Sequence, residues 1–569
     1  MGHAKRCRPS NSPKPSGRSL TMRLPPNVGQ ADFTAALKAF AQVVGEQWLY
    51  TSDEDLYLYR DSYSILWGEA DERTASAAVA PDNADQVVEL VKIANRYRIP
   101  IYPISTGKNL GYGGAAPALA GSVVFDLKRM NRIVEIDERH GYVVVEPGVS
   151  YFDLYHHIQE KGLKLWIDVP SPGWGSVLGN ALDGGVGVTL SPYRNHFEAQ
   201  CGVEVVLPNG RMMRSGMGAM PGAKTWQQFK PGFGPRIDGL FKQSNYGIVT
   251  KMGFWLMPAP DNFATGTVNV PKYRDLIPLV DIIGRLEQSK IVQGVWNLSS
   301  PTTGTPPFAA HEAGAAPKPV DPAIAAILSD PGGVDMNKLD VAAQSRGLAF
   351  WACDFNFYGP SKLIQAQWDC VCDALKVIPG ATFTLGEIRS LPLSPEVQAK
   401  TRDLGPFGIP TLKTFDLGPM FSYDGEDVVG HIFFSPVIPR TGEAAIEAMN
   451  LFAAIGRKYK LPGPPLQFPS TIFERAFLFA VGLPVTRSAS VNAKLRGIIR
   501  ELVAVSAERG WGEYRTAPAF YDLIMGTYSY NDHALREFLE TIKDAVDPNG
   551  IMSPGRYAIR SRYRKQPKS

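Results

Sequence analysis

The chain has 569 residues, 44% of them hydrophobic and 20% charged, so its length predicts about two to four domains with substantial cores. The 59 basic and 55 acidic residues leave a formal net charge of only +4, which argues against nucleic acid or an anionic membrane as a partner. No apolar run of about eighteen residues is present, so we expect no transmembrane helix. The five cysteines lack metal-ligand spacing, which predicts free thiols, no metal site and a soluble, cytoplasmic protein.

Residues 1–24 are predicted to form a disordered basic tail. This segment contains six basic residues and no acidic one, and it lacks the apolar stretch of a secretory signal. Met22 is the more natural first residue in this interpretation, which would place residues 1–21 upstream of the native start.

The next segment predicts a buried strand that leads into a glycine-rich loop. Gln86 to Tyr97 has apolar residues at helical spacing, and Ile99 to Ile104 reads as a strand. The following loop, Ser105 to Gly114, holds four glycines, and glycine permits both positive φ and close backbone approach. Consecutive free N–H groups in such a loop can form a concave nest for a pyrophosphate, although a glycine-rich loop alone is weak evidence.

Short β-branched runs separated by turn residues predict further strands before residue 258. They are Ser122–Asp126, Ile133–Ile136, Tyr142–Glu146, Val203–Leu207 and Gly247–Leu256. The part of the chain after residue 264 alternates strand-like and helical segments. Its predicted strands are Leu348–Phe357 and Gly430–Val437, and its predicted amphipathic helices are Leu363–Leu375 and Glu443–Tyr459. Residues 300–335 are rich in Pro, Gly and Ala and are interpreted as a long excursion, and the last sixty residues are expected to return to turns and strands. The pattern predicts an α+β protein.

Five motifs in this order resemble one family. They are Pro103–Pro117, Val145–Val149, Asp168–Asn180, Ser244–Gly253, and Gly512–Arg515 with Asp547–Gly550 near the end. Together they are similar to the vanillyl-alcohol oxidase/4-cresol methylhydroxylase family of FAD-dependent enzymes. The resemblance implies a two-lobed FAD-binding domain of the PCMH type formed by both chain ends, residues 25–264 and 510–569. An α+β cap domain, residues 265–509, would be inserted between them and bind the substrate.

The resemblance also implies which residues hold FAD. The glycine loop would wrap the pyrophosphate, and two further segments would line the ring and ribityl regions, through Ser105, Thr106, Gly107, Lys108, Asn109, Leu110, Gly111, Pro170, Ser176, Gly179, Asn180, Gly247, Ile248 and Val249. Arg556 matches a cationic position that faces the flavin pyrimidine carbonyls. From the sequence alone, His431 in Gly430-His-Ile-Phe-Phe reads as a buried core histidine. In the family's oxidases, the histidine of a similar motif is bonded to the flavin 8α-methyl group, which implies covalent FAD.

The catalytic residues implied by the resemblance are Tyr112, Tyr514, Arg515 and Ser171. Two tyrosine hydroxyls and a guanidinium can stabilise a phenolate, from which hydride loss at the benzylic carbon gives a neutral quinone methide. The family likeness therefore implies oxidation of para-substituted phenols, namely 4-alkylphenols or 4-hydroxybenzylic and allylic alcohols. The resemblance thus implies a small phenolic substrate and either O2 or a c-type cytochrome as the electron acceptor. It also implies a homodimer, because family members commonly form homodimers.

The chain departs from the family pattern at several positions. Ser171 replaces the oxidases' aspartate beside flavin N5 and resembles the serine of the methylhydroxylases. A cap glutamate corresponds to Thr414, and Phe473–Phe477 replaces a motif with paired histidines. The methylhydroxylases attach FAD through a tyrosine, but Leu417 and Gly418 occupy that neighbourhood, and Tyr423 is a poor second candidate.

Three alternatives to an oxidase stay open from the sequence. The first is a cytochrome c-dependent 4-alkylphenol methylhydroxylase or dehydrogenase, which Ser171 favours while His431 favours an oxidase. The second is a flavin-dependent 2-hydroxy acid dehydrogenase, which usually needs histidines near the flavin. The third is a non-catalytic flavin-binding subunit, against which the intact Tyr514–Arg515 pair argues.

Overall fold

A computed structural model describes the molecule at residues 24–191, 193–300, 320–330, 332–401, 403–412, 422–462 and 467–563. Helices and sheets alternate along these residues, so the α+β prediction is confirmed. The predicted basic tail, much of the 300–335 excursion, and Thr414, Leu417 and Gly418 lie outside the described residues.

The first sheet has four strands and carries the glycine-rich loop at its edge. Its order is Leu49–Tyr50, Ala77–Val79, Val123–Asp126 and Ile101–Ile104. The last three strands run parallel, and Val123, Val124 and Phe125 are fully buried, as expected for a strand covered on both faces. The predicted helix over Gln86–Tyr97 is observed at Ala84–Arg96, and its apolar residues face the sheet core.

The second sheet has five antiparallel strands. Their order is Ile133–Asp137, Tyr142–Val145, Ile248–Trp255, Gln200–Val206 and Met212–Arg214. Each predicted strand of this region is present within a few residues of its expected bounds. The two-residue strands Leu165–Trp166 and Met257–Pro258 pair beside it.

The third sheet lies in the predicted cap region. Trp296–Ser299, Trp351–Tyr358, Asn262–Val270 and Thr382–Leu385 pair in this order, and Arg389–Ser390 also pairs with Asn262–Val270. The predicted single strand Gly430–Val437 is wrong in extent, because the chain turns at Ser435 and Pro436. Gly430–Phe434 pairs with Val481–Val485, whereas Val437–Pro439 pairs with Ala476–Leu478.

The helices other than Ala84–Arg96 cover these sheets and join them. Their bounds are Gln30–Val44, Asp53–Tyr57, Tyr151–Glu160, Val177–Leu182, His196–Ala199, Leu276–Gln288, Pro322–Leu328, Met336–Gln344, Ser361–Leu375, Pro395–Lys400, Gly442–Tyr459, Ala489–Ala507, Tyr521–Thr527 and Tyr530–Val546. The two predicted amphipathic cap helices correspond to Ser361–Leu375 and Gly442–Tyr459. No helix in the described ranges is both long and apolar enough to cross a membrane.

The C-terminal segment returns to the first sheet. The Ile101 N–H donates to the Ile551 carbonyl and the Ser553 N–H donates to the Ile101 carbonyl, both at 2.8 Å. Buried Lys543 ties the same segment to the second sheet by donating to the Asn245 and Met552 carbonyls at 2.7 Å. The expectation of turns and strands over the last sixty residues is wrong in part, because Tyr521–Thr527 and Tyr530–Val546 are helices. The domain bounds stay a prediction.

Candidate active site

A single large cavity lies where the two chain ends and the third-sheet region meet. Its volume is about 1630 Å³. Four segments form one part of its walls: the glycine-rich loop, the Pro170–Asp183 segment, the start of the strand Ile248–Trp255, and the strand Gly430–Phe434. The C-terminal residues Arg515 and Arg556 also line this part, and residues of the third-sheet region line the rest. A cavity of this size can hold a ligand as large as a dinucleotide.

The glycine-rich loop presents free backbone donors to this cavity. Gly107, Gly111, Gly113 and Gly114 all have positive φ, between 54° and 104°, which explains why the loop needs glycine. Within the described residues, no hydrogen bond is formed by the backbone N–H groups of Gly107, Lys108 and Asn109. Because unpaired backbone donors are costly, this row of N–H groups fits the pyrophosphate of a bound dinucleotide.

The Pro170–Asn180 segment reaches the same cavity through a capped helix. The Ser176 hydroxyl accepts a hydrogen bond from the Gly179 N–H at 3.0 Å and donates to the Pro147 carbonyl at 2.6 Å. A Cβ at position 179 would overlap the Ser105 hydroxyl, so glycine there lets the two segments predicted to bind FAD touch. The predicted FAD residues that line the cavity are Ser105, Thr106, Gly107, Lys108, Asn109, Leu110, Pro170, Ser176, Gly179, Asn180, Gly247, Ile248, Val249, His431 and Arg556. Gly111 lies behind this wall.

Arg515 is held between the two predicted tyrosines. Its guanidinium carbon lies 3.8 Å from the ring centre of Tyr112 and 5.7 Å from that of Tyr514. Only 13% of the Arg515 side chain is exposed. Its Nε is buried and has no hydrogen-bond partner among the described residues. Arg515 lines the cavity, so its guanidinium can bind an anionic or polar ligand atom there.

The pKa values in this cluster show the effect of burial and of the shared charge. Burial raises the pKa of Tyr514 to about 12, although the positive charge of Arg515 opposes the rise. Burial alone would lower the pKa of Arg515, but Tyr514, Tyr112 and Asp183 outweigh it and the net shift is upward. Arg515 is therefore a permanent cation, and Tyr514 is a neutral hydrogen-bond donor at physiological pH.

Asp183 joins this cluster to Arg556, and sequence reasoning missed it. Its carboxylate accepts hydrogen bonds from Arg556 Nη2 at 3.1 Å, Tyr557 Oη at 2.6 Å and Asn109 Nδ2 at 2.6 Å. Arg515 Nη1 lies 3.7 Å from its other oxygen. The two predicted arginines thus share one buried carboxylate. The only signal in the sequence was an acid three residues after Asn180, and its partners are more than seventy residues away.

His431 lies on the strand Gly430–Phe434 and lines the cavity. Its ring centre is 5.4 Å from that of Tyr63 and 4.7 Å from that of Phe433. No described residue forms a hydrogen bond with its ring nitrogens, and burial lowers its pKa, so the imidazole is neutral and nucleophilic at neutral pH. A Cβ on Gly111 would lie 2.8 Å from the His431 carbonyl oxygen, so the glycine loop contacts this strand directly.

Two positions that depart from the family pattern, Ser171 and Phe473, contact different parts of the site. Ser171 lines the cavity and is exposed to it. The Phe473 ring contacts Tyr514 edge-on at 5.8 Å, and the Phe473 carbonyl accepts a hydrogen bond from Arg440. Burial and the nearby charge of Arg194 lower the pKa of Arg440 to about 9. Tyr423 lies away from the cavity lining and donates to the Tyr459 carbonyl at 2.9 Å.

Residues 75–216 match the model of a family described as an FAD binding domain. The chain is 32% identical over 546 residues to the 4-cresol dehydrogenase [hydroxylating] flavoprotein subunit of Pseudomonas putida, covering 94% of this chain and 97% of that protein. Two solved structures are similar, each at 31% identity and each with 99% of its chain covered. They are a 4-ethylphenol oxidase from Gulosibacter chungangensis, with a TM-score of 0.78 over 95% of this chain, and a p-cresol methylhydroxylase, with a TM-score of 0.77 over 94%.

Proposed function

Because this chain belongs to the vanillyl-alcohol oxidase/4-cresol methylhydroxylase family of FAD-dependent oxidoreductases, we propose that it oxidises para-substituted phenols at the carbon attached to the ring. One observation carries the proposal: Arg515 lines the cavity and lies between the rings of Tyr112 and Tyr514. This arrangement supplies a cation and two hydroxyls for a phenolate oxygen, which is the group that the reaction needs.

The chain's residues act on the phenolic end of the substrate. Arg515 lowers the pKa of the bound phenol by stabilising its anion, and the two tyrosines donate hydrogen bonds to the same oxygen. FAD, when bound, accepts at N5 the hydride that leaves the benzylic carbon. Loss of hydride from a phenolate leaves a neutral quinone methide. Water addition then gives a 4-hydroxybenzylic alcohol, proton loss gives an alkene, and an alcohol substrate gives an aldehyde or ketone.

Covalent attachment of FAD through His431 is part of the proposal. Three features support it: the imidazole lines the cavity, it is neutral, and the strand that bears it touches the glycine loop. Tyr423, the second candidate, uses its hydroxyl in a hydrogen bond away from the cavity lining. A covalent bond would retain the cofactor and raise its reduction potential.

We propose O2 as the electron acceptor, with a c-type cytochrome as the second candidate. His431 favours the oxidase and Ser171 the cytochrome-linked enzyme, and the named relatives include both a dehydrogenase and an oxidase. The test is to reduce the flavin anaerobically with a phenol and then add either O2 or ferricytochrome c. Reoxidation by O2 within the turnover time supports an oxidase, whereas reoxidation by cytochrome alone assigns the dehydrogenase.

Two other functions receive less support. A 2-hydroxy acid dehydrogenase usually needs histidines near the flavin, and His431 is the only histidine among the described residues that line the cavity. A non-catalytic flavin subunit would have no use for a cation held between two tyrosines at the cavity. We also propose that residues 25–264 and 510–569 form the FAD domain and 265–509 the cap, and that the protein is a cytoplasmic homodimer.

Replacing Ser171 by aspartate is expected to change the ratio of hydrated to alkene product. Ser171 lines the cavity, and a carboxylate there can accept a proton from attacking water, whereas serine can only orient that water. The added negative charge also disfavours anionic reduced flavin, so we expect slower reduction. Chromatography of the products from a 4-alkylphenol and stopped-flow absorbance measure the two effects. If the product ratio and the reduction rate of the variant both match the wild type, Ser171 does not lie beside the reacting carbon.

Replacing Asp183 by asparagine is expected to leave the positive charges of Arg515 and Arg556 uncompensated. Asp183 holds Arg556 at 3.1 Å and lies 3.7 Å from Arg515, so its charge balances both guanidiniums. Loss of one partner of a buried charged pair typically costs about 2–5 kcal/mol. We expect a higher flavin reduction potential and a shifted pH profile of reduction, because uncompensated positive charge favours anions nearby. An unchanged potential and pH profile would limit Asp183 to a structural role.

A further inference from the structure

The active-site cavity continues past the flavin-binding residues into the third-sheet region. There its walls are apolar, and they are formed by Leu298, Trp351, Met449, Phe452, Phe468 and Phe479. Phe452 and Phe479 have ring centres 4.7 Å apart, and a Cβ on Gly482 would lie 3.5 Å from Phe433, whose ring contacts His431.

One face of the helix Gly442–Tyr459 forms the floor of this extension. Met449, Phe452, Ala453 and Gly456 all line the cavity, and their spacing of three, one and three residues places them on one side of the helix. This face is about 10 Å long from Met449 to Gly456 at 1.5 Å per residue, and Lys460 also lines the cavity directly after the helix ends at Tyr459. A Cβ on Gly456 would meet no atom within 4 Å, so this glycine faces open space.

The far end of the extension carries two cations. Arg457 and Lys460 line the cavity there, and neither forms an ion pair with a carboxylate of the described residues. Neighbouring Lys458 differs, because it pairs with Glu501 at 2.8 Å outside the cavity. One carboxylate, Asp330, also lines this end, where it accepts a hydrogen bond from the Gly332 N–H at 2.8 Å. Two cations face one anion, so the end of the extension is positively charged.

We propose that this extension binds the para side chain of the substrate, and that this side chain is long and apolar and ends in a carboxylate. The inference rests on the proposed phenol oxidation and names its substrate class. The phenolic oxygen binds Arg515, the apolar chain runs along Ala453 and Gly456, and the carboxylate reaches Arg457 and Lys460. Each buried methylene is expected to tighten binding by roughly fourfold, so the extension favours long side chains over an ethyl group.

Three substrates separate the parts of this proposal: 4-ethylphenol, 4-decylphenol, and a decanoic acid that carries a 4-hydroxyphenyl ring on its terminal carbon. Gly456→Leu fills the open space and is expected to raise KM for both long substrates by about tenfold or more, since overpacking excludes the chain. KM for 4-ethylphenol stays within about twofold. Gly497→Leu is the matched control, because Gly497 lies in the helix Ala489–Ala507, also faces open space and does not line the cavity.

The double variant Arg457→Gln/Lys460→Gln tests the charged end. It is expected to raise KM for the acid by roughly threefold to tenfold, as for two exposed charge contacts, and to leave 4-decylphenol unchanged. Lys458→Gln is the charge-matched control. Calorimetry with the analogue that lacks the phenolic hydroxyl gives a dissociation constant without turnover, which should follow the same order.

Each outcome decides one part. A wild-type KM for the long substrates in Gly456→Leu, or an equal rise for 4-ethylphenol, overturns the extension as the binding site. An acid KM that responds to Arg457→Gln/Lys460→Gln no more than to Lys458→Gln overturns the carboxylate end. If Gly456→Leu does not fold, Gly456→Ala, which favours the helix, gives the same test with a smaller rise. If neither 4-ethylphenol nor 4-decylphenol reduces the wild-type flavin, the proposed function is wrong rather than this inference alone.

Discussion

Flavin reduction by a 4-alkylphenol is expected to slow by roughly thirtyfold to several thousandfold when Arg515 is replaced by methionine. The reason is that Arg515 stabilises a desolvated phenolate, and loss of such a charge-assisted contact costs about 2–5 kcal/mol. The content of bound FAD should stay near the wild-type level, because Arg515 contacts Tyr112, Tyr514 and Asp183 rather than the glycine loop donors. Anaerobic stopped-flow absorbance measures the rate.

Arg560→Met is the matched control for this variant. Arg560 lies in the same C-terminal segment, but it pairs with Asp522 at the surface and does not line the cavity. The flavin of Arg560→Met should be reduced by a 4-alkylphenol at the wild-type rate. A wild-type rate in Arg515→Met as well would remove Arg515 from the mechanism.

Acid precipitation is expected to leave the flavin in the protein pellet of the wild type and in the supernatant of His431→Ala. The imidazole of His431 is the neutral nucleophile of the cavity wall, so removing it leaves no atom for the bond. The variant should still bind FAD through the glycine loop, and its reduction should be slower because the reduction potential falls. Absorbance of pellet and supernatant, with the potential from dye equilibration, checks both effects.

Tyr423→Phe serves as the comparison, because Tyr423 is the alternative attachment residue and its hydroxyl donates to Tyr459. Its flavin should stay in the pellet. Flavin in the supernatant of the wild type, or flavin in the pellet of His431→Ala, would refute the covalent bond through His431. Neither result would argue against FAD binding.

The sequence predicted most local elements because their signals are local. The apolar period of Ala84–Arg96 and the β-branched runs of the second sheet need no knowledge of distant residues. The strand predicted over Gly430–Val437 failed because its two halves take different partners, Val481–Val485 and Ala476–Leu478, and pairing is a tertiary property.

The same distinction holds for the site. The glycine loop and Arg515 were found through motifs that resemble a family. Asp183 was not found, because its role comes from contacts with Asn109, Arg556 and Tyr557 that only the fold creates. The cavity extension could not be predicted from the sequence either. A glycine such as Gly456 only lowers the helix propensity of its segment, and the open space beside it is a property of the fold.

The most direct test of phenol oxidation is anaerobic mixing of the purified protein with 4-ethylphenol and, separately, with its O-methyl ether. Only the free phenol can form the phenolate that Arg515 stabilises. We predict that 4-ethylphenol bleaches the flavin absorbance within one turnover and that the ether leaves it unchanged. Equal bleaching by both compounds, or none by either 4-ethylphenol or longer 4-alkylphenols, would contradict phenol oxidation at this site.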